Sequence, residues 1–294
     1  MKLQNKNAII TGGSRGLGKE IARSFLLEGA SVAICARNGD ELEAAYEELR
    51  GYAREGQALF REKADVSDEN DVKKFVGRCV GFFGKADRFG KIDILVNNAG
   101  IHGSKNRIGD DVFDLDNWKN AISVNLLGTL HMCLSVVPHM KENGRGKIIN
   151  LSGGGATSPM PGMSAYASSK AAVVRFTETI AIELSPHNID VNAVAPGAMN
   201  TRLLDDVLDS GRGIVAEEYY QRLLEQKERG GTPPGIAAGL CVYLASDESC
   251  GVSGKLISAV WDDWKNLHTR MDGLQPDAYT LRRIVPADKQ EERG

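Results

Sequence analysis

Thr11-Gly12-Gly13-Ser14-Arg15-Gly16-Leu17-Gly18 is the stretch on which the reading of this chain turns. It follows a short apolar run, Asn7–Thr11, and it opens a helical pattern. Glycines let a backbone turn tightly and come close to a pyrophosphate. The helix start behind them offers free N–H groups and the positive end of a dipole. The spacing is TGxxxGxG rather than the commoner GxGxxG. A plain turn would use the same residues. The position at the first strand-to-helix junction of a repeating pattern is what favours a phosphate cradle.

That pattern runs outward from the cradle. Six more apolar runs follow: Ser31–Cys35, Gln57–Lys63, Ile92–Val96, Lys147–Leu151, Asp190–Val194 and Lys255–Ser258. Most are β-branched and too continuous for half-exposed strands, which is how strands covered on both faces of a parallel sheet read. Amphipathic stretches such as Lys19–Glu28, Glu41–Arg54 and Asp71–Phe89 lie between them. The alternation predicts an α/β fold: a Rossmann-like, doubly wound, seven-stranded parallel sheet in three α/β/α layers. No linker or internal repeat is visible. Residues 1–260 therefore read as one dinucleotide-binding and catalytic domain, with a helical insert at about 199–231 between the last two strands. Gly81–Lys91 predicts an extra turn or two of helix before the fourth strand. Residues 261–294 form an extension without strand or strong helix periodicity, carrying Pro276 and Pro286.

Bulk properties exclude several classes. The 294 residues are 42% hydrophobic and 26% charged, ordinary for a globular chain. A net charge of −3 gives no pull towards nucleic acid or an anionic membrane. No run of about 18 apolar residues appears, and no signal peptide is visible, so a cytoplasmic location is expected. Cys35, Cys79, Cys133, Cys241 and Cys250 are scattered without a CxxC pair. Buried thiols are expected rather than a disulfide framework or a zinc site. No cluster has metal-ligand spacing, so no metal is expected. His102, His131, His139, His187 and His268 are dispersed and read as structural or solvated.

Two features carry chemistry. An NAD site usually places Asp or Glu at the end of the second strand. Here the chain reads Ile34-Cys35-Ala36-Arg37-Asn38, with no carboxylate before Asp40. Arg37 and Arg15 suit a 2′-phosphate, because guanidinium forks match phosphate oxygens. NADP(H) is thus favoured over NAD(H), against the alternative of two solvated loop arginines. Asp65-Val66 would border the adenine, or simply end the third strand. The second feature is Tyr166 and Lys170, four apart and so on one helix face. A phenol with a pKa of about 10 is a poor acid–base group at neutral pH, and a neighbouring ammonium lowers that value. The pair becomes a plausible proton donor or acceptor for a substrate oxygen. Without the cofactor signals it would read as a solvated helix face.

With these residues in hand, the chain resembles a member of the short-chain dehydrogenase/reductase superfamily, in its single-domain branch. The likeness covers about Lys6 to Gly254. It rests on the Thr11–Gly18 cradle, Asn97-Asn98-Ala99-Gly100, the Tyr166/Lys170 pair and Pro196-Gly197, in that order. The resemblance implies Tyr166 as general acid/base and Lys170 as holder of the nicotinamide ribose that also depresses the tyrosine pKa. It implies Asn125 as holder of a relay water and Thr201 as the contact to the nicotinamide carboxamide. The cofactor-lining set would comprise Gly12, Ser14, Arg15, Gly16, Leu17, Gly18, Arg37, Asp65, Val66, Asn97, Asn98, Ala99, Gly100, Tyr166, Lys170, Pro196, Gly197 and Thr201.

The resemblance also implies a serine that holds the substrate oxygen. Ser152 is the candidate, yet it lies fourteen residues before Tyr166 where thirteen is usual, and the thirteenth is Gly153. The expectation is that the Gly153-Gly154-Gly155 run re-aims the loop so that Ser152 keeps the role. Ser158 is the fallback, and turn chemistry alone the bland alternative.

The expected reaction moves a hydride between NADP(H) and a carbonyl or secondary alcohol, in the reductive direction. The alternatives are an NAD-linked alcohol or sugar/polyol dehydrogenase and a non-catalytic nucleotide-binding regulator. The expected partner is a small-molecule carbonyl or alcohol substrate, and the expected assembly a homodimer or homotetramer. Within the insert, Met199, Leu203, Leu204, Tyr219 and Tyr220 would line the substrate. The chain departs from the resemblance after its last strand, where Trp261-Asp262-Asp263-Trp264 replaces a short Asp-Gly-Gly ending. That tail would either cap a substrate pocket, Trp with Asp suiting a polyol, or pack over the sheet edge or a subunit interface.

Overall fold

A computed structural model describes residues 1–87, 90–211, 215 and 217–283. Arg88, Phe89, parts of the insert (212–214 and 216, and the Leu203 side chain) and the end of the extension with Pro286 lie outside the described residues.

Seven parallel strands form one sheet. They are β1 (Asn7–Thr11), β2 (Ser31–Ala36), β3 (Leu59–Lys63), β4 (Ile94–Asn97), β5 (Gly146–Leu151), β6 (Ile189–Ala195) and β7 (Leu256–Ser258), in the order β3-β2-β1-β4-β5-β6-β7. All seven expected runs are strands, and the ends differ by a few residues. β3 starts at Leu59 rather than Gln57, because the Gln57 amide is spent on the carbonyls of Leu26 (2.8 Å) and Ala30 (2.6 Å). Side chains alternate across each strand. Ala8 and Ile10 of β1 join one core with Val32 and Ile34 of β2, while Ile9, Ala33 and Cys35 join the other.

Helices α1 (Gly16–Leu27), α2 (Gly39–Arg50) and α9 (Pro234–Ala245) bury the first core. Helices α3 (Glu69–Asp87), α5 (Gly128–Glu142) and α6 (Ser164–Leu184) bury the second. The result is the three-layer α/β/α arrangement. α1 begins three residues earlier than its apolar pattern, since Gly16 and Gly18 are poor helix formers by themselves. α2 is started by Asn38, whose Oδ1 accepts from the N–H groups of Asp40 (3.0 Å) and Glu41 (3.1 Å).

α4 (Leu115–Ile122) runs into α5 through a π-helical turn, Ser123–Leu127. By length and composition the continuous helix Leu115–Glu142 is apolar enough to cross a membrane, a feature absent from the reading of consecutive apolar runs. In this fold Met132, Cys133, Val136 and Met140 pack it on the sheet. The insert supplies α7 (Arg202–Leu208) and α8 (Glu217–Arg229), and α10 (Leu267–Arg270) is a short helix in the extension. Four of the cysteines are buried as expected. Cys250 is exposed, which corrects that reading at one position.

The chain doubles back at β1 and β4. Ligands of such sheets bind in the crevice beyond the carboxyl ends of the strands on either side of that point.

Candidate active site

Beyond β1, the cradle is built by close approach. Gly12 has φ +65°, and a Cβ on it would lie 2.9 Å from Asn98 Nδ2 and 3.0 Å from Ala99 Cα. A Cβ on Gly18 would overlap the Gly12 carbonyl oxygen, and one on Gly13 would meet Ile34 Cγ2 at 2.6 Å. Thr11 Oγ1 accepts from the N–H groups of Asn98 (3.0 Å) and Ala99 (3.0 Å), and Asn98 Nδ2 donates to the Thr11 carbonyl (2.9 Å). Asn98 and Ala99 thus lace β4 to the cradle. No side chain caps the first turn of α1, so its leading N–H groups face the crevice unspent. Ser14 and Leu17 are buried beside them. Thr201 joins the cradle as well, its Cγ2 being 3.8 Å from where a Gly16 Cβ would stand. Gly197, at φ +91°, turns the chain after Pro196 against Val260 and Thr232. The backbone therefore fits a dinucleotide pyrophosphate at this helix end.

The arginines behave differently from one another. Arg37 is exposed and makes no ion pair among the described residues. Arg15 Nη1 instead bonds Glu41 Oε1 (2.9 Å) and Oε2 (2.8 Å), and Arg202 bonds the same carboxylate at 3.2 Å. Glu41, in the first turn of α2, carries no signal of its own in the sequence. Asp65 Oδ1 is occupied by the Ser67 N–H (2.9 Å) and hydroxyl (2.7 Å), as in a turn. Val66 is buried with its carbonyl 3.0 Å from His131 Nδ1.

The chemistry gathers beyond β4 and β5. Asn125 sits in the π-helical turn, fully enclosed. Its Oδ1 accepts from Ile101 N–H (2.8 Å), and its Nδ2 donates to the Ile101 carbonyl (2.9 Å) and Ser169 Oγ (2.8 Å). Its side chain therefore pins the loop after Gly100. The Asn125 carbonyl accepts from Thr129 Oγ1 (2.8 Å). A Cβ on Gly100 would stand 3.3 Å from Asn125 Oδ1 and 3.5 Å from Lys170 Nζ, so these three residues meet. Beneath them Asn97 donates to Asn150 (2.9 Å), and Asn150 to Thr177 (2.8 Å), tying β4, β5 and α6.

Lys170 is 5% exposed, and its Nζ donates to the Leu151 carbonyl at 2.7 Å. Nζ lies 5.8 Å from the centre of the Tyr166 ring. Burial pushes the lysine down to about 8 and the Tyr166 phenol up to about 12, with Tyr219 adding to the latter. The expected lowering of the phenol by Lys170 is corrected: in this geometry burial is the larger effect on the phenol.

The serine expectation is corrected too. Ser152 Oγ is enclosed and has no hydrogen-bond partner among the described residues, so it makes no bond to the Tyr166 hydroxyl. Gly153 faces that hydroxyl instead: a Cβ there would overlap the oxygen and lie 3.0 Å from Cζ. Successive residues of an extended chain point to opposite sides, and Gly153 is extended at φ −176°. The three glycines do not re-aim Ser152, and the thirteen-residue position keeps its place. Ser158 is exposed.

His102 was read as structural, yet its ring stands edge-on to that of Tyr166, with centroids 4.9 Å apart and planes at 80°. The insert closes over this side. Leu204, Val207, Leu208, Val215 and Leu223 cluster with Met163, and Tyr166, Tyr219 and Tyr220 pack against them. Met199 packs on the main core instead. Lys105 ties the loop after β4 to the insert through the Asp206 carbonyl and Ser210 Oγ (2.5 Å).

The tail takes neither tryptophan to a pocket. Trp264 packs on Tyr243 at 5.8 Å and donates to the Ala259 carbonyl (3.1 Å), while Trp261 is 86% exposed. Further on, the tail runs along β7 and α6, where Leu256 N–H donates to the Tyr279 carbonyl (2.7 Å).

Comparison with known proteins agrees with this geometry. Residues 6–210 match the family described as short chain dehydrogenase. The chain is 34% identical over 265 residues to the (2S)-[(R)-hydroxy(phenyl)methyl]succinyl-CoA dehydrogenase subunit BbsD of Thauera aromatica, covering 87% of this chain and 96% of that one. It is similar to a solved 7α-hydroxysteroid dehydrogenase in complex with NADH and 7-oxo glycochenodeoxycholic acid, at TM-score 0.74 and 32% identity, with 87% and 93% of the two chains covered. It is similar as well to a gluconate 5-dehydrogenase from Burkholderia cenocepacia in complex with NADP and tartrate, at TM-score 0.73 and 29% identity, with 91% and 97% covered.

Proposed function

The chain belongs to the short chain dehydrogenase family, and on that premise we propose that it reduces an aldehyde, ketone or keto-sugar with NADPH, with Tyr166 as the proton donor. Membership makes it an oxidoreductase that transfers a hydride between a nicotinamide cofactor and a carbonyl or alcohol carbon. The observation that carries the proposal is the Tyr166 hydroxyl, set against Gly153 below the insert, with Lys170 and Asn125 behind it.

When bound along the Gly12–Gly18 cradle, the cofactor supplies the hydride, and the protein supplies position and a proton. A phenol raised by burial is neutral at pH 7, so Tyr166 donates towards an oxygen on which negative charge develops. Lys170 is still largely an ammonium at that pH, and its charge steadies the tyrosine as the proton leaves. Asn125 keeps the Ile101 loop in register with Lys170, beside which the route that returns the proton would run. Thr201 and Gly197 would flank the nicotinamide end.

The preference for NADPH rests on Arg37, exposed at the end of β2 where no carboxylate stands. Arg15 reaches the same helix end through Glu41 and would exchange that carboxylate for a phosphate. A second reading has an observation of its own: Glu41, held between Arg15 and Arg202, offers a carboxylate to ribose hydroxyls, as an NAD-linked alcohol or polyol dehydrogenase would need. We assign residues 1–260 to one catalytic domain with a lid at about 199–231, acting in the cytoplasm as a homodimer or homotetramer.

Dissociation constants for NADPH and NADH on the unmodified protein and on Arg37→Ala test the preference. We expect tighter NADPH binding that weakens at least about tenfold on substitution. Equal or tighter NADH binding overturns the NADPH reading and selects the Glu41 one.

A further inference from the structure

Resting on the reading of Tyr166 as proton donor, we infer that His102 supplies the second hydrogen bond to the substrate oxygen, through its Nε2–H, in the part that the resemblance gave to a serine.

That part has no occupant on β5. Gly153 has no side chain, and Ser152 Oγ is enclosed without a partner. A carbonyl oxygen gaining negative charge beside Tyr166 would then have one donor where two are the usual means of stabilisation. The side chain that stands across the Tyr166 ring is His102.

Its position is held from both directions. The preceding residue, Ile101, has its N–H and its carbonyl both bonded to the Asn125 amide (2.8 and 2.9 Å). The following residue, Gly103, has φ +74°. It is wedged between α4 and α6 so tightly that a Cβ would lie 2.9 Å from the Asn117 carbonyl and 3.3 Å from Ala165 Cβ. A ring carried between two such anchors keeps its place while the substrate arrives, which is what a preorganised donor requires.

Its protonation suits the task. Burial, with Lys105 and Lys170 nearby, pushes the imidazole down to about 4, so it is neutral at physiological pH. A neutral imidazole carries one N–H. Nδ1 is enclosed without a hydrogen-bond partner among the described residues, and an orphaned buried N–H is rarer than an orphaned acceptor. The proton therefore belongs on Nε2, which is not among the enclosed unpaired atoms. Neutral N–H also matches a neutral carbonyl, since it adds no charge to a pocket already holding the Lys170 ammonium.

Two measurements decide it. The first needs no turnover: 15N NMR of histidine-labelled protein, with His102→Gln assigning the resonance. We expect a neutral Nε2–H ring between about pH 5.5 and 8; a charged ring or an Nδ1–H tautomer overturns the inference. The second uses ethyl acetoacetate, 2,3-butanedione and cyclohexanone as carbonyl probes with NADPH or NADH. His102→Leu should lower kcat at least about tenfold, with the cofactor dissociation constant within about twofold as proof of folding. His102→Gln, which restores an N–H at a similar reach, should recover most of the loss. His102→Leu at the unmodified rate, or a smaller loss than Ser152→Ala gives, overturns the inference alone. An unmodified protein that turns over none of these probes with either cofactor counts against the proposed function and takes the inference with it, whereas an active protein with a charged or Nδ1–H ring overturns the inference alone.

Discussion

Tyr166 and Lys170 depart from their ordinary values in opposite directions, and burial is the leading cause at both. At neutral pH the pair is a phenol beside an ammonium, the state that can donate. With Lys170 lowered to about 8, the ammonium loses its proton as pH rises through that value. The kcat/KM for carbonyl reduction should therefore hold level near neutrality and fall above about pH 8, and Lys170→Arg should remove that limb because guanidinium stays charged. For stability the sign is reversed. Between about 8 and 10.5 the unfolded chain holds the extra proton, so this group's contribution to stability rises with pH over that window. Tyr166→Phe removes the proton donor and little volume. It should cut kcat by about a thousandfold or more while the cofactor dissociation constant, read by fluorescence titration, stays within about twofold. Tyr166 and Lys170 were legible because their spacing fixes one helix face, whereas Asn125 was legible only through the family resemblance. Gly153 is legible only as a count of thirteen, and glycine freedom in the Gly153-Gly154-Gly155 run favours Ser152 on sequence grounds until the fold shows Gly153 facing the Tyr166 hydroxyl. His102 carried no signal at all: a lone histidine between Ile101 and Gly103 becomes chemical only when the fold lays its ring against Tyr166.

The elements that make the cradle were readable for a simpler reason. A buried parallel strand must be apolar on both faces, so β1, β2 and β5 announce themselves as runs, and their order follows from the helices between them. Boundaries were less readable where a side chain or tertiary contact decides them, as Gln57 does before β3. The π-helical turn at Ser123–Leu127 leaves no trace in periodicity, although it is what seats Asn125. The start of α1 is decided by close approach, and that can be tested. A Cβ at Gly18 would meet the Gly12 carbonyl, backbone that cannot swing aside. Gly18→Ala should push α1 off β1, costing about 1–3 kcal/mol in stability. It should also weaken cofactor binding more than substrate binding, since the displaced N–H groups are the ones aimed at the pyrophosphate. Thermal unfolding and a cofactor titration on the same variant separate the two effects. An unchanged titration would mean that the helix end does not hold the nucleotide.

Across the whole molecule, the extension does the work of closing an edge. β7 is the last strand of the sheet, and an open edge invites pairing with another chain. Lys255, 7% exposed, donates to the carbonyls of Pro276 (3.0 Å) and Ala278 (2.9 Å). Glu178 of α6, also 7% exposed, accepts from Leu281 N–H (2.6 Å) and pairs with Arg175 and Arg282. Leu281 packs against the cluster of Val174, Ala193 and Ala156; Ala156 lies three residues past Gly153, so the same segment backs the region of the loop that faces Tyr166. Two losses should therefore be separable. Glu178→Gln removes the charge that draws the segment in while leaving the loop's packing, and should cost about 2–4 kcal/mol. For a chain of this size that is a fall in Tm of about 2–4 °C per kcal/mol, with kcat within about twofold. Deleting residues 275–294 strips Leu281 as well. It should lower Tm further, reduce kcat as the Gly153 loop loosens, and make sedimentation depend on concentration as β7 edges meet. A deletion that leaves Tm and sedimentation unchanged would mean the edge needs no cover. One that lowers Tm and spares kcat would confine the tail to the edge and free the Gly153 loop from it.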